Sequence, residues 1–386
     1  MAITVYIIAV EKKWLPRKNA IERILKILRF FYSSQQGRQA NATGYKGFYY
    51  HFLEMHNGER AWNCELSTID TSLFIAGALC AATYFQKKNK EETAIRDLAD
   101  KLYRRVDWQW AQHKGNSICH GWKPGSGFLR YRWDKNYSEA MIMYLLALGS
   151  PTFPISPEGY KAWTGTFDVT SVYDISYLYA GPLFIHQFSH MWIDFRGIHD
   201  SFNKKAGFDY FENSRRATYI HRQYAIENKK QFKDYGAFCW GLTASDGPGK
   251  KKLKIDGQHR IFYNYIARGA PYGPDDGTLS PWAVVASLPF APEIVLETIR
   301  KSIEKFEVNP HRLQGFSASF NPTFPVKPST IHGWVSQWQF GLNQGPIVIM
   351  IENHRTGLIW TTMKQCPYLV TGLQRAGFAN GWIDRI

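Results

Sequence analysis

The sequence is short of the features that define several common protein classes. Its five cysteines are odd in number and include no C-x-x-C pair, so neither a zinc site nor a dense disulfide framework is expected. No apolar run approaches the roughly twenty residues that a membrane-spanning helix needs. The N-terminal stretch MAITVYIIAVEKKW has no basic region before its apolar residues and no small-residue cleavage site, which favours a helix over a signal peptide. The sequence leaves the cellular compartment open.

Motifs of other enzyme classes are missing as well. The sequence contains no G-x-S-x-G elbow, no P-loop and no G-x-G-x-x-G fingerprint. His186 and His190 have the spacing of metal ligands on a helix, but Gln187 stands where a zinc protease has its glutamate. We therefore expect these histidines to pack or to contact sugar, and we expect no metal and no cofactor.

The net charge of +15 would suit an anionic partner such as nucleic acid. The basic residues are scattered, however, or lie in short clusters at residues 87–90 and 250–254, and they form no continuous stripe. This distribution favours a solvated surface. We therefore expect no nucleic-acid partner, and we expect a monomer.

Aromatic residues, by contrast, are abundant, with 14 Trp, 22 Tyr and 25 Phe. Trp and Tyr combine a flat apolar face with a polar edge, which matches the C–H faces and hydroxyl rim of a sugar ring. Many of the tryptophans lie beside glycine, proline and polar residues. This setting favours sugar stacking over simple packing in a helical core.

Apolar residues recur at helical spacing through most of the chain. Strand signals are sparse, with a candidate at residues 311–320, and no alternation of strands and helices indicates a parallel sheet. With no linker and no fixed-period repeat, the sequence predicts one all-α domain over residues 1–386, an α/α barrel of helical hairpins. The predicted helices cover residues 3–14, 71–85, 91–111, 138–148, 203–228, 280–287, 292–306, 345–354, 356–364 and 367–376, with another starting near Pro16 and a partly helical segment at 177–191.

Glycoside hydrolysis requires two carboxyl groups beside the scissile bond, one of which must hold a proton. Glu139 is the best candidate for this acid, because it follows Trp133 and Tyr137 and opens an apolar helix. Burial among these rings would raise the pKa of Glu139, whereas the helix dipole would lower it. The alternative is a glutamate that only complements the dipole, and the residues alone leave both open.

Other acidic residues in aromatic settings are candidates for the second carboxyl group or for binding sugar hydroxyls. Asp70 precedes an apolar helix and could be its N-cap or a catalytic residue. Asp194 and Arg196 could form a buried ion pair or bind hydroxyls, and their neighbours His190 and Trp192 favour binding. The remaining candidates for sugar binding are Trp133, Tyr137, Trp240 and Asp246, while Asp275 and Asp276 are expected to form a turn rather than a calcium site.

Several long motifs occur in the order found in one known family. From about Ile3 to the C-terminus the chain resembles the glucoamylase-like family, and within it glycoside hydrolase family 144 and the related domains of cyclic β-1,2-glucan synthases. The motifs that carry the resemblance are STIDTSLFIAGAL, YSEAMIMYLLALGSPTFPI, GPLFIHQFSHMWIDFRG, WGLTASDGPG, GTLSPWAVVASLPFAPE, FNPTFP and GPIVIMIENHRTGLIW.

The resemblance implies an (α/α)6 barrel and an endo-β-1,2-glucanase that inverts the anomeric carbon without a metal. Through the Y-x-E-A-M motif it assigns the general acid to Glu139. Through the S-x-x-D-T motif it places Asp70 on the side that activates water or distorts the sugar. An α-1,4 activity is not implied by the historical name. Relatives of this type are mostly periplasmic or secreted.

Two departures from the family pattern bear on activity. The chain reads GLNQGP where relatives often read GLDQGP, so Asn343 replaces an aspartate and cannot act as a base. Relatives also carry a helix before the position of Ile3, so we expect an incomplete first hairpin, which would expose apolar surface. The main hypothesis is an inverting endo-β-glucanase acting on β-1,2-glucan. Its rivals are a non-catalytic glucan-binding protein and a domain that transfers or cyclises glucan.

Overall fold

The computed structural model describes residues 1–306 and 316–385. Within these residues helices are the main regular secondary structure. The α-helices are α1 Ala2–Glu11, α2 Arg17–Ser33, α3 Thr68–Tyr84, α4 Lys90–Arg104, α5 Trp108–Gln112, α6 Met141–Gly149, α7 Pro157–Thr164, α8 Ser201–Ala206, α9 Tyr210–Glu227, α10 Pro281–Ala286, α11 Pro292–Phe306, α12 Gly341–Arg355, α13 Leu358–Met363 and α14 Pro367–Arg375. Short 3-10 helices cover Leu183–His186, Ser189–Met191 and Ile383–Arg385.

The strands between these helices are short and form small antiparallel sheets. They are β1 Gly44–Tyr45, β2 Phe48–Tyr50, β3 Leu66–Ser67, β4 Gly121–Lys123, β5 Gly127–Phe128, β6 Val169–Val172, β7 Ile175–Leu178, β8 Ala244–Ser245, β9 Lys251–Ile255, β10 Gln258–Phe262, β11 Ile266–Ala267, β12 Phe320–Asn321 and β13 Trp334–Val335. Strands β1 to β5 pair in chain order, and the others pair as hairpins or short ladders.

The helix predicted over residues 91–111 is two helices, so that prediction is wrong in its middle. Helix α4 ends at Arg104, and α5 begins at Trp108. The side chain of Asp107 caps α5 by accepting a hydrogen bond from the backbone N–H of Trp110 at 2.9 Å. Such a cap satisfies one of the N–H groups left unpaired at the start of a helix.

Two further predicted helices differ from the structure, and a segment predicted to be helical in part has that character. The helix predicted over residues 203–228 breaks at Gly207, whose φ of 77° lies in the left-handed region that favours glycine. The segment 177–191 begins in strand β7 and continues as two 3-10 turns. The helix predicted over 138–148 begins only at Met141.

Most of the strands were not predicted, because each is only two to five residues long and such runs carry no measurable periodicity. The strand predicted within residues 311–320 overlaps β12 at its last residue. Residues 311–315 of that prediction lie outside the described residues.

Two compact units are distinguished by their internal contacts. The first unit comprises Met1–Phe167, Trp192–Asp209 and Gly357–Ile386, and the second comprises Asp168–Met191 and Tyr210–Thr356. Within the described residues, no helix combines the length and apolarity needed to cross a bilayer.

The core of the first unit is built around α3 and α6. All residues of α6 are buried, and α3 packs against α1, α4 and α6. Helix α14 approaches α6 closely because glycines face each other: a Cβ at Gly149 would meet the carbonyl oxygen of Tyr368, and one at Gly372 would meet that of Leu145. Strand β3 pairs with β2 and β4 and leads directly into α3, which fixes where α3 begins.

The second unit packs α9, α10 and α12 with several hairpins. A small cluster of Tyr177, Ala217 and Ile220 joins β7 to α9. A fully buried ion pair links Arg268 to Asp276, with Nε 2.7 Å from Oδ1 and a second nitrogen 2.8 Å from Oδ2. The predicted Asp-Asp-Gly turn therefore also contributes a charge to the interior of this unit.

Candidate active site

Glu139 lies in a turn between a β-hairpin and α6. Residues 118–133 form the hairpin, whose strands β4 and β5 pair Trp122 with Phe128. The chain then turns, and α6 starts at Met141 with Ala140 as its N-cap residue. The prediction that Glu139 opens the helix is wrong. Glu139 precedes α6, whose first residue lies two positions later.

The environment of Glu139 favours the protonated carboxyl group. Burial raises the pKa of Glu139 to about 7, a hydrogen bond from its own backbone N–H opposes the rise, and the negative charge of Asp70 adds to it. Burial therefore outweighs the hydrogen bond that opposes it. A carboxyl group in this state can donate a proton near neutral pH.

Asp70 is the third residue of α3, and it is not the N-cap. Ser67 caps α3 by accepting a hydrogen bond from the N–H of Asp70 at 3.1 Å, and its hydroxyl donates to Oδ2 of Asp70 at 2.5 Å. The Asp70 side chain is 38% exposed, so a ligand can reach it. Its charge acts on Glu139, which brings the two catalytic candidates into one neighbourhood.

A histidine and a glutamate that were not predicted complete this group. Nε2 of His51 lies 3.5 Å from Oδ2 of Asp70, and Nδ1 of His51 lies 2.9 Å from Oε1 of Glu65. The contact between the His51 and Glu65 side chains follows from the pairing of β2 with β3, because the N–H of His51 donates to the carbonyl of Glu65 at 2.9 Å. Burial would raise the pKa of Glu65, but hydrogen bonds from His51 and from its own backbone lower it overall.

Trp133 and Tyr137 form an aromatic frame beside the carboxyl groups. The Trp133 ring stacks on His120 with centroids 3.8 Å apart, and its Nε1 donates to Thr68 Oγ1 at 3.1 Å. Tyr137 packs edge-on against Phe167 with centroids 5.6 Å apart. Both rings are buried, at 9% and 4% exposure. Sugar contacts at these two rings stay predictions.

Trp192, Asp194 and Arg196 form a second group in the first unit. Trp192 is fully buried and donates from Nε1 to Thr4 Oγ1 at 3.1 Å. Asp194 is buried and accepts two hydrogen bonds from Arg196, at 2.7 and 2.8 Å, and one from Lys364 at 2.7 Å. Burial would raise the pKa of Asp194, yet these two cations lower it. The ion-pair interpretation therefore fits Asp194 and Arg196, and the sugar contacts predicted for Trp192 and Asp194 are not supported.

The candidates in the second unit are mostly interior. His190 is fully buried with Nε2 3.0 Å from Ser214 Oγ. Trp240 is 3% exposed and donates from Nε1 to Thr298 Oγ1 at 2.9 Å. Both rings are enclosed by protein, which fits packing, and sugar contacts at these two positions stay predictions. Asp246 is half-buried, and its Oδ2 accepts a hydrogen bond from Ser336 at 2.8 Å.

Two other residues singled out in the sequence are also enclosed in the second unit. His186 is buried 3.1 Å from the carbonyl of Ala180, and burial lowers its pKa to about 4. Asn343 is the third residue of α12 and is 6% exposed. Both positions fit packing within the unit.

Comparisons with known proteins place these motifs in a family. A family model described as "Putative glucoamylase" matches residues 130–367. A solved structure from Bacteroides uniformis with the same description is 31% identical, with a TM-score of 0.83 over 98% of this chain and 87% of that one. An endo-β-1,2-glucanase from Chitinophaga pinensis, solved with sophorotriose and glucose, is 27% identical, with a TM-score of 0.81 over 98% of this chain and 86% of that one.

A curated relative from Parabacteroides distasonis is an exo β-1,2-glucooligosaccharide sophorohydrolase acting at the non-reducing end. It is 27% identical over 97% of this chain, and the chain spans 51% of its length. These similarities confirm a helical fold of the predicted kind. The six-hairpin barrel and the single domain over residues 1–386 stay predictions.

Proposed function

Because the chain belongs to the glucoamylase-like family, we propose that it is a glycoside hydrolase that cleaves β-1,2-glucan. Two of the relatives named above, the Parabacteroides distasonis and Chitinophaga pinensis enzymes, act on β-1,2-linked glucans. The observation that carries the proposal is that a buried and an exposed carboxyl group lie close enough for the charge of one to act on the other. Glu139 has a pKa raised to about 7, and the charge of Asp70 contributes to that rise.

In the proposed reaction Glu139 is the general acid. It donates its proton to the glycosidic oxygen as the bond from that oxygen to the anomeric carbon breaks. A water molecule attacks the anomeric carbon from the opposite face and loses a proton to the carboxylate of Asp70. The product then carries the inverted configuration.

His51 and Ser67 hold Asp70 in position for this role. Both make their contacts to Oδ2, at 3.5 and 2.5 Å, which fixes the plane of the carboxylate. Glu65 orients His51 from its other nitrogen. This arrangement resembles the general pattern in which a second group sets the orientation of a catalytic one.

Cleavage within the glucan chain and inversion are the finer parts of the proposal. The relatives are named as both endo- and exo-acting enzymes, and the endo mode is favoured here by the family motifs. The test is incubation with linear β-1,2-glucan, with laminarin and starch as linkage controls. We expect short β-1,2-oligosaccharides from the wild type and none from Glu139→Gln. The exposed Glu158 of α7 supplies the control, since Glu158→Gln should keep full activity.

The replacement of the aspartate of the family motif by Asn343 raises a second candidate, a glucan-binding protein without catalysis. Asparagine cannot accept the proton of the attacking water, so loss of a base at this position would leave binding intact. Asn343→Asp separates the two candidates. If the wild type cleaves β-1,2-glucan and Asn343→Asp adds little, the hydrolase stands; if only Asn343→Asp cleaves, the wild type is a binder. Cyclic or lengthened products would instead indicate glucan transfer.

A further inference from the structure

The loop between β2 and β3 presents aromatic rings to solvent. Trp62 is 79% exposed and Phe52 is 44% exposed. Most other tryptophans discussed above are enclosed in the interior, including Trp133, Trp192 and Trp240. An indole left in water gains nothing for folding, and its face stays accessible to a ligand.

The exposed rings form a continuous row that starts at the proposed catalytic group. His51, which lies 3.5 Å from Asp70, stacks on Phe52 with centroids 4.2 Å apart and planes within 13°. Phe52 in turn contacts Trp62, with centroids 5.0 Å apart and an angle of 51°. The row therefore runs from the Asp70 carboxylate to the outermost ring.

The loop holds these rings by specific contacts. The N–H of Ala61 donates to the carbonyl of Phe52 at 3.0 Å, and the N–H of Phe52 donates to Cys64 Sγ at 3.2 Å. Trp62 and Asn63 both have a φ of 51°, an unfavourable backbone region for residues with a Cβ. Unfavourable backbone that is held in place by its surroundings is frequently associated with ligand binding.

The charges of the loop favour a neutral ligand. In a chain with a net charge of +15, the loop and its end carry Glu54, Glu59 and Glu65 against a single arginine, Arg60. Nucleic acid or another polyanion would be repelled by these carboxylates. A neutral sugar ring, with its apolar C–H face, suits the exposed indole.

We propose that Trp62, supported by Phe52, stacks on a sugar unit of the glucan chain beyond the bond that is cleaved. The inference rests on the proposed function, and it makes the loop a determinant of the enzyme's preference for long over short glucans. Trp62 binds substrate in this scheme and does not take part in the chemistry.

The test measures binding without turnover, in Glu139→Gln protein, with linear β-1,2-glucan of long and short chain length. We expect Trp62→Ala to weaken binding of the long glucan by roughly fivefold or more, because it removes the ring face that covers the sugar. Trp62→Tyr should restore most of the affinity, because it keeps a ring. Trp14, which is 70% exposed elsewhere in the first unit, provides the matched control, and Trp14→Ala should bind like the parent protein. Equal affinity of Trp62→Ala and parent would overturn the inference.

The same variants separate this inference from the proposed function. If wild type cleaves glucan but Trp62→Ala leaves the affinity unchanged, the hydrolase stands and the stacking role fails. If no glucan is cleaved but binding depends on Trp62, the stacking role stands without the hydrolase. A dimer in sedimentation that Trp62→Ala dissociates would assign the exposed rings to a protein contact and would also overturn the inference.

Discussion

The imidazole of His51 bridges two carboxylates, with Nε2 3.5 Å from Oδ2 of Asp70 and Nδ1 2.9 Å from Oε1 of Glu65. His51 directly follows strand β2, and Glu65 directly precedes strand β3. The antiparallel pairing of β2 with β3 thus places the linked polar side chains of Glu65, His51 and Asp70 beside the first turn of α3. Asp70 is held by groups that follow from the backbone of this small sheet.

His51→Ala should lower kcat on β-1,2-glucan by at least tenfold while KM changes little. The reason is that His51 positions Asp70 and does not itself touch the reacting atoms. Steady-state kinetics on a defined oligosaccharide give this measurement. His56 lies exposed in the same loop, and His56→Ala is the control that should keep wild-type rates. An equal fall of kcat in both variants would assign the effect to disturbance of the loop.

The activity should depend on pH through Glu139. Because the acid must carry its proton, kcat/KM should fall about tenfold per pH unit above the pKa of about 7.

The negative charge of Asp70 helps to raise this pKa, so Asp70→Asn should let Glu139 titrate at lower pH. NMR titration of the Glu139 side chain measures the shift. Asp97→Asn, at an exposed position of α4, should leave the titration where it is.

Glu139→Gln should stabilise the protein at alkaline pH. The folded-state pKa of about 7 lies above the ordinary glutamate value of 4.5, so the folded state binds this proton more tightly than the unfolded state. The contribution of protonated Glu139 to the free energy of unfolding is therefore fully present below about pH 4.5. It is lost as the pH rises through about 7. At pH 8.5 we expect Glu139→Gln to gain about 1–3 kcal/mol in the free energy of unfolding, and at pH 4.5 almost nothing.

Urea denaturation at the two pH values tests this expectation. Glu158→Gln is the control and should change the free energy of unfolding by less than about 0.5 kcal/mol at either pH. A loss of stability in Glu139→Gln at pH 8.5 would mean that the ionised carboxylate is well solvated in the folded protein, contrary to the expected burial.

The buried ion pair of the second unit should be sensitive to the loss of one partner. Arg268→Ala leaves Asp276 as an uncompensated charge in the interior, which costs about 3–5 kcal/mol. Lys301 pairs with Glu304 at the surface, with both side chains about half exposed, and Lys301→Ala should cost less than about 1 kcal/mol. Chemical denaturation of the two variants compares them directly. Similar losses in both would mean that Arg268 contributes no more than an exposed cation.

The long amphipathic elements were predictable because their periodicity is read directly from the sequence. Helices α11 and α14 begin and end within a residue or so of their predicted bounds. The break before α5 was not predictable from the sequence. Asp107 caps a new helix there through its side chain, and apolar spacing does not reveal such a cap. Short strands carry no periodicity at all, so the pairing that sets His51 opposite Glu65 was invisible.

The candidate site was predictable only in part. Glu139 stood out because it follows aromatic residues and precedes an apolar helix. The aromatic candidates were harder, because sequence does not distinguish a tryptophan that packs, such as Trp192, from one that is exposed, such as Trp62. The one available signal was local composition, since Trp62 lies among Asn, Gly, Glu and Arg, residues typical of a solvated loop.

The most direct measurement is a time-resolved ¹H NMR experiment on linear β-1,2-glucan with wild-type protein and Glu139→Gln in parallel. The spectrum reports the linkage of the products and the configuration of each new reducing end before mutarotation. If Glu139 is the acid of an inverting β-1,2-glucanase, the α-anomer appears first with wild type and no product forms with Glu139→Gln. Cleavage that persists in Glu139→Gln, or the absence of any cleavage by wild type, would contradict the assignment.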